Sequence, residues 1–133
     1  MIFIDTGAFI ARYIQDDQYH GKAVELWKRL EHRSVRLFTS NFVLDETLTL
    51  LGRRAGYPFA VERARVIYAS EVLSILRPSE DSEYEAIDLF SKYADQKVSF
   101  TDCVSFALMH HQKITQVFSF DHHFEMAGFS LYP

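Results

Sequence analysis

Residues 1–11, MIFIDTGAFIA, decide the fold, because a short apolar run ends at an acid and a helical segment follows at once. Residues 2–4 predict a buried strand, and Asp5 comes directly after it. The spacing of residues 8–13 predicts a helix. A strand followed by a helix is the first part of a βαβ unit, which favours a parallel sheet. Ligands of such sheets bind beyond the carboxyl ends of the strands, so Asp5 is the first candidate functional residue.

The rest of the chain repeats this alternation of short apolar runs and longer helical segments. The further predicted strands are residues 37–38, 71–76, 116–120 and 129–132. The further predicted helices are residues 21–30, 42–55, 58–69, 82–93 and 99–111. Ser40 or Asn41 is expected to cap one helix, and Ser82 with Glu85 has capping-box spacing at another. We predict one domain over residues 1–133, an α/β fold of three layers (α/β/α) with a short central parallel sheet of about four to five strands.

Length and composition indicate an ordinary globular domain. The 133 residues are 48% hydrophobic and 15% aromatic, which is enough apolar volume for one core. The single cysteine, Cys103, excludes a disulfide-built secreted scaffold and indicates a reducing compartment. No apolar run approaches the ~20 residues of a membrane span, and the first residues lack the basic start of a signal peptide. We therefore expect a cytoplasmic protein without a membrane partner.

Charge is unevenly distributed along the chain. The formal net charge is −4, which argues against a protein that coats nucleic acid but is compatible with a nuclease that holds metal on acids. Residues 1–66 carry 10 basic and 8 acidic side chains, whereas residues 67–133 carry 4 and 10. Any basic surface is therefore expected in the first half.

Four acids are expected at the same edge of the sheet. Asp121 follows the predicted strand 116–120, and Asp102 lies in the first turn of the helix 99–111. Glu46 lies in the second turn of the helix 42–55, on an apolar stripe that makes an unpaired charge costly, whereas its neighbour Asp45 is expected to face solvent. Taken singly, each aspartate has helix capping as an alternative role. Together with Asp5, the four acids predict one acidic site.

Convergence of these acids requires a counter-charge. Two carboxylates 4 Å apart repel by ~4 kcal/mol at an effective dielectric constant of 20. Mg²⁺ or Mn²⁺ removes this cost, because both are hard cations that prefer oxygen ligands. A zinc site is not expected, because the adjacent pairs His110–His111 and His122–His123 lack the spacing of a zinc-binding helix.

Four segments in this order resemble the PIN-domain family, specifically the VapC-type toxin ribonucleases of toxin–antitoxin pairs. The segments are MIFIDTGAFIA, TSNFVLDETLTLL, SFTDCVSFALM and FSFDHHFEMAGF. The resemblance implies that the family's four acidic positions, both catalytic and metal-binding, are Asp5, Glu46, Asp102 and Asp121. It also implies supporting hydroxyl groups at Thr6, Thr101 and Ser119. The implied activity is hydrolysis of RNA phosphodiester bonds with Mg²⁺ or Mn²⁺, and the implied partners are a cognate antitoxin and a second copy in a homodimer.

Substrate contacts and competing functions stay open at this stage. Arg53 lies two helical turns beyond Glu46, and with Arg54 it either holds RNA phosphates or belongs to a solvated face. One alternative is a PIN-like RNA-processing nuclease outside a toxin–antitoxin pair, and another is a non-catalytic PIN scaffold that binds RNA or protein. A dehalogenase-type phosphotransferase is disfavoured, because Gly7 stands where it needs a second aspartate. A receiver-type signalling domain is also disfavoured, because its acidic pair and late lysine are not evident.

Overall fold

The computed structural model describes residues 1–133, which form five strands and seven helices. The strands are β1 (Ile2–Ile4), β2 (Leu37–Ser40), β3 (Leu73–Leu76), β4 (Gln116–Phe118) and β5 (Ser130–Leu131). The helices are α1 (Thr6–Tyr13), α2 (His20–Glu31), α3 (Asn41–Ala55), α4 (Tyr57–Tyr68), α5 (Glu80–Lys92), α6 (Phe100–Gln112) and α7 (His123–Met126). A 3-10 turn, Ala94–Gln96, joins α5 to α6. The predicted fold class is confirmed, since the helices enclose a short, fully parallel sheet.

Strand order determines where a ligand site forms. The order in the sheet is β3-β2-β1-β4-β5. The chain leaves β1 toward β2 and β3 on one side, and then crosses back to β4 and β5 on the other side. The order therefore reverses between β1 and β4, and the loops beyond their carboxyl ends diverge to leave a crevice. Asp5 follows β1 at this edge, and its backbone N–H donates to the carbonyl of Phe118 at the end of β4, 3.1 Å away.

The core holds these strand ends in place. All three residues of β1 are fully buried, as expected for a strand at the centre of a sheet covered on both faces. Trp27 of α2 packs on Phe9 and Phe118, and its indole N–H donates to the carbonyl of Ala8 at 3.0 Å. This aromatic cluster fixes α1 and α2 against the sheet, so Asp5 starts from a rigid position.

Two predicted boundaries are wrong, and each has a physical reason. The Ser82–Glu85 pair does not cap α5, because Ser79 is the N-cap and its hydroxyl accepts from the Ser82 N–H at 3.1 Å. Glu85 instead contacts the imidazole of His111, 2.7 Å away. The strand predicted over residues 116–120 ends at Phe118, because the following serine makes side-chain bonds in place of ladder bonds.

Most other elements begin and end within two residues of their predicted positions. Ser40, one of the two predicted caps, is the N-cap of α3 and accepts from the Val43 N–H. None of the helices combines the length and the apolar character needed to traverse a lipid bilayer.

Candidate functional site

A polar cleft of about 570 Å³ opens beyond the carboxyl ends of β1 and β4. Its lining includes the four predicted acids, Asp5, Glu46, Asp102 and Asp121. They come from the end of β1, the second turn of α3, the first turn of α6 and the loop after β4. The fold therefore brings together four side chains that lie up to 116 positions apart in the sequence.

Asp5 is the most deeply placed acid. It is 5% exposed and occupies the N-cap position of α1, but its carboxylate makes no capping hydrogen bond. The Ser119 hydroxyl donates to Asp5 Oδ2 at 2.7 Å. Burial raises the pKa of Asp5 to about 6, although the hydrogen bonds from Ser119 and from the Thr6 backbone oppose the rise. The alternative role of Asp5 as a side-chain helix cap is therefore not what the structure contains.

Asp102 is also buried, with 8% of its surface exposed. Its backbone N–H donates to the Ser99 hydroxyl at 3.0 Å, which holds the first turn of α6 against the cleft. Burial raises the pKa of Asp102 to about 9, and the negative charges of Asp5 and Asp121 add to the rise. Such a carboxyl group is costly to ionise unless a positive charge lies beside it.

Glu46 and Asp121 complete the acidic group from more open positions. Glu46 is half-buried and lines the cleft, whereas Asp45 is exposed and lies outside it, as the helical spacing predicts. Asp121 Oδ1 accepts from the His123 N–H at 2.9 Å, so this carboxylate orders the turn that enters α7. The Asp121 N–H donates to the Ser119 hydroxyl, which also donates to Asp5.

The three predicted supporting hydroxyl groups occupy different positions. Ser119 links two of the acids, as described above. Thr6 is buried and lines the cleft, and its hydroxyl has no hydrogen-bond partner in the protein. Thr101 is half-buried and does not line the cleft, and its carbonyl accepts from the Ser105 hydroxyl one turn later in α6. The hydroxyl-bearing residue of this segment that lines the cleft is Ser99.

The predicted arginines lie outside the cleft. Arg53 and Arg54 are exposed near the end of α3, and Arg54 lies 3.5 Å from Asp16. The basic residue in the cleft lining is Lys97, which the sequence analysis missed. Lys97 has a left-handed backbone (φ 56°) and precedes the Ser99 N-cap by two residues. In the sequence, the only feature that points to Lys97 is its position two residues before a helix N-cap.

Two histidines extend the acidic group. Ligating atoms of Asp121, His122 and His123 all lie within 4.8 Å of one another. His123 Nδ1 is 3.0 Å from Asp121 Oδ1 and 3.7 Å from Asp102 Oδ2, and its side chain is largely buried. The predicted ligand set contained carboxylates alone, because the sequence spacing gave no reason to include these imidazoles.

The donor set fits a divalent cation. Buried carboxylates that repel each other are stabilised by a compact positive charge, and carboxylate oxygens are the usual ligands of hard cations. The Thr6 hydroxyl, which has no hydrogen-bond partner, and His123 Nδ1, 3.0 Å from Asp121 Oδ1, are further polar atoms at the same site. The cleft can therefore hold a divalent metal through Asp5, Glu46, Asp102 and Asp121.

Comparison with known proteins agrees with this geometry. The PIN-domain family model matches residues 2–129, and the chain therefore belongs to the PIN-domain family. Among similar proteins is the 23S rRNA-specific endonuclease VapC20 of Mycobacterium tuberculosis, 37% identical over 97% of this chain and 95% of that protein. A VapC ribonuclease of Archaeoglobus fulgidus is 32% identical over 92% of this chain and 78% of its own length.

A solved structure shares the whole architecture. The crystal structure of Mycobacterium tuberculosis VapC20, described as a sarcin-ricin loop cleaving toxin, aligns with a TM-score of 0.88 at 35% identity. The alignment covers 97% of this chain and 96% of that structure. The resemblance to VapC-type PIN domains that the four sequence segments carry is thus confirmed.

Proposed function

We propose that this protein is an endoribonuclease of the VapC type, the toxin of a type II toxin–antitoxin pair, that hydrolyses RNA with Mg²⁺ or Mn²⁺. The observation that carries the proposal is the burial of Asp5 and Asp102 in one cleft with Glu46 and Asp121. Buried acids of one sign are costly to the fold, so their presence is best explained by a catalytic cation. The similarity to VapC ribonucleases supports the same activity.

The chemistry follows from the charges in the cleft. A bound divalent cation lowers the pKa of water and neutralises charge on the phosphate oxygens. Asp5 and Asp102, which are buried, would hold the cation together with the more open Glu46 and Asp121. A carboxylate of this group accepts the proton of the attacking water. Water adds to phosphorus as the bond to the 3′ oxygen breaks, which leaves a 5′-phosphate and a 3′-hydroxyl group.

The substrate class we infer is a structured loop of 23S ribosomal RNA. This inference is supported by Mycobacterium tuberculosis VapC20, which is named a 23S rRNA-specific endonuclease. Its crystal structure is described as that of a sarcin-ricin loop cleaving toxin. These matches cover 97% of this chain and at least 95% of the relatives' own length.

The experiment that tests the activity is cleavage of total cellular RNA and purified ribosomes, with cut sites mapped at their 5′-phosphate ends. We expect a few discrete cuts in 23S RNA with Mg²⁺ or Mn²⁺ and none with EDTA. Asp5→Asn should reduce the rate by about a hundredfold or more, since it removes an anionic metal ligand. Asp45→Asn is the matched control, because Asp45 is exposed outside the cleft.

The outcome also separates the competing functions. Cuts in other RNA classes would indicate an RNA-processing nuclease outside a toxin–antitoxin pair. RNA binding without any cleavage, at every divalent cation tried, would indicate a non-catalytic scaffold. Equal rates for Asp5→Asn and the unsubstituted protein would contradict the site assignment.

We propose that two parts of the protein contact RNA phosphates. Lys97 lies in the cleft lining and contacts the phosphate near the cut, whereas Arg53 and Arg54 hold the flanking backbone. Arg53→Ala should weaken RNA binding and reduce the slope of log affinity against log salt by about one unit. Lys97→Ala should lower the cleavage rate more than Arg53→Ala does. Lys28→Ala is the control, since Lys28 is exposed on α2 away from the cleft. An unchanged salt slope for Arg53→Ala would assign it to the solvated face.

Protein partners belong to the same proposal. We infer a cytoplasmic location and a cognate antitoxin, a segment of which blocks the acidic cleft with a basic or apolar side chain. We also infer a homodimer through α3 and α4. The reason is that four large side chains of α4 are about half exposed to solvent or more: Tyr57, Val61, Val66 and Tyr68. Light scattering of the purified protein tests the dimer, and Val61→Glu should shift it to a monomer.

A further inference from the structure

One aromatic pair lies in the otherwise polar cleft. The rings of Tyr19 and Phe120 stack with centroids 4.5 Å apart and planes inclined by 1°. Both residues line the cleft that contains the four acids. The cleft has no other large apolar side chain in its lining. A flat aromatic surface therefore adjoins the site where we propose that phosphate is cut.

The pair is anchored on one side only. Phe120 packs against the main core, and its ring meets that of Phe118 edge-on at 6.0 Å. Tyr19 is 40% exposed, and its ring stacks on Phe120 at the edge of that core. Since Tyr19 lies on the outer side of the pair and is 40% exposed, its ring retains surface that a ligand can contact.

The backbone holds both rings at fixed places beside the acids. Phe120 lies between Ser119, which bonds to Asp5, and Asp121 itself. Tyr19 is the N-cap residue of α2, and its backbone N–H donates to Asp17 Oδ1 at 2.9 Å. Phe120 is thus tied to the loop that carries Asp121, and Tyr19 is held at the start of α2.

We propose that the Tyr19–Phe120 pair is a stacking platform for an unpaired nucleobase next to the scissile phosphate, an inference that rests on the ribonuclease function proposed above. Single-stranded RNA is recognised largely by stacking of splayed bases on aromatic rings. A base is the part of the substrate that suits this surface, because the ribose and phosphate favour the polar remainder of the cleft. The platform selects RNA with an unpaired base at one position relative to the cut.

The test is a comparison of RNA binding in an Asp5→Asn background, which keeps the substrate intact. Tyr19→Ala should weaken binding of single-stranded RNA by roughly five- to a hundredfold, which corresponds to one lost stacking contact. Tyr19→Phe should bind almost normally, since it retains the ring. Tyr84→Ala is the matched control, because Tyr84 is an exposed tyrosine of α5 outside the cleft. Phe120→Leu tests the second ring while retaining apolar volume for the core.

Abasic RNA shows whether a base is what the ring contacts. We expect that an abasic nucleotide at one position near the cut weakens RNA binding by the protein that has Tyr19. The same abasic nucleotide should have little further effect on RNA binding by Tyr19→Ala. A 2-aminopurine at that position should be quenched by the protein with Tyr19 and remain bright with Tyr19→Ala. Equal losses from Tyr19→Ala on intact and abasic RNA at every position would overturn the platform.

The two proposals fail in different ways. Normal cleavage and RNA binding with no effect of Tyr19→Ala would overturn the platform and leave the ribonuclease function standing. If the protein with all four acids neither binds nor cuts RNA, both proposals fall together.

Discussion

At the scale of single residues, Ser119 connects the two strands that form the cleft. Its hydroxyl donates to Asp5 after β1 and accepts from the backbone of Asp121 after β4. It is 3% exposed, so these bonds face little competition from water. The serine therefore fixes the distance between two acids that belong to different strands.

We predict that Ser119→Ala weakens Mn²⁺ binding by about ten- to a hundredfold, the usual effect of losing a group that orients a metal ligand. It removes the donor that opposes the rise of the Asp5 pKa, so the carboxylate becomes harder to ionise. Titration calorimetry measures the affinity. Ser105→Ala is the control, because it removes a buried hydroxyl of α6 outside the cleft. Equal Mn²⁺ affinity for the two variants would show that Ser119 does not position the acids.

At the scale of elements, one glycine separates the helix that carries Glu46 from the helix that follows it. Gly56 ends α3 and precedes α4, with φ 96° and ψ 147°. Side chains with a Cβ rarely adopt this region, so the abrupt turn between the two helices depends on glycine. The helix predicted over residues 42–55 ends directly before this glycine, as expected of a residue that favours positive φ after a helix.

We predict that Gly56→Ala lowers the free energy of unfolding by about 1–3 kcal/mol, because alanine is strained at positive φ. Gly21→Ala should instead raise it by up to ~1 kcal/mol, since Gly21 lies in α2 and an added Cβ there meets open space. Urea denaturation of both variants measures the two changes. A stability for Gly56→Ala at or above that of the unsubstituted protein would contradict the role given to this turn.

The elements also show how far a sequence alone can predict this fold and site. Asp5, Glu46, Asp102 and Asp121 were predictable, because periodicity locates each of them after a strand or in the first two turns of a helix, and parallel strands collect these positions at one edge. Lys97 and Tyr19 were not, since they reach the cleft from connecting segments whose course depends on tertiary packing. The helix cap predicted at Ser82 was wrong for a local reason. Ser79, three residues earlier, is an equally good capping residue and is the N-cap in the structure.

At the scale of the whole molecule, the excess of acidic over basic residues equals the number of acids in the candidate site. The chain has 18 acidic and 14 basic residues, so the difference equals the four acids in the cleft. The remaining charges balance, and the protein without those four acids would be formally neutral. The two carboxyl groups with raised pKa values, Asp5 and Asp102, also lie in the cleft, so we expect the cleft to contribute strongly to the response of stability to pH and cations.

We predict that, in EDTA, the free energy of unfolding falls as pH rises from about 4 to about 9. The pKa of Asp5 rises on folding from 3.8 to about 6, and that of Asp102 from 3.8 to about 9. Burial causes most of both shifts, so the folded state binds protons more tightly than the unfolded chain does. The resulting stabilisation is complete below pH 3.8, and it is lost as pH passes about 6 for Asp5 and about 9 for Asp102. Each pK unit corresponds to ~1.4 kcal/mol.

A divalent cation should reverse this loss, because it takes the place of the protons on the carboxylates. Millimolar Mg²⁺ or Mn²⁺ should therefore raise the melting temperature strongly near pH 8 and little near pH 5, as measured by calorimetry in parallel with EDTA samples. Asp102→Asn provides the control, since a neutral amide at this position flattens the pH dependence in EDTA and reduces the response to metal. If the melting temperature in EDTA rises from pH 5 to pH 8, or if Asp102→Asn responds to Mg²⁺ as the unsubstituted protein does, the cation does not act through these buried acids.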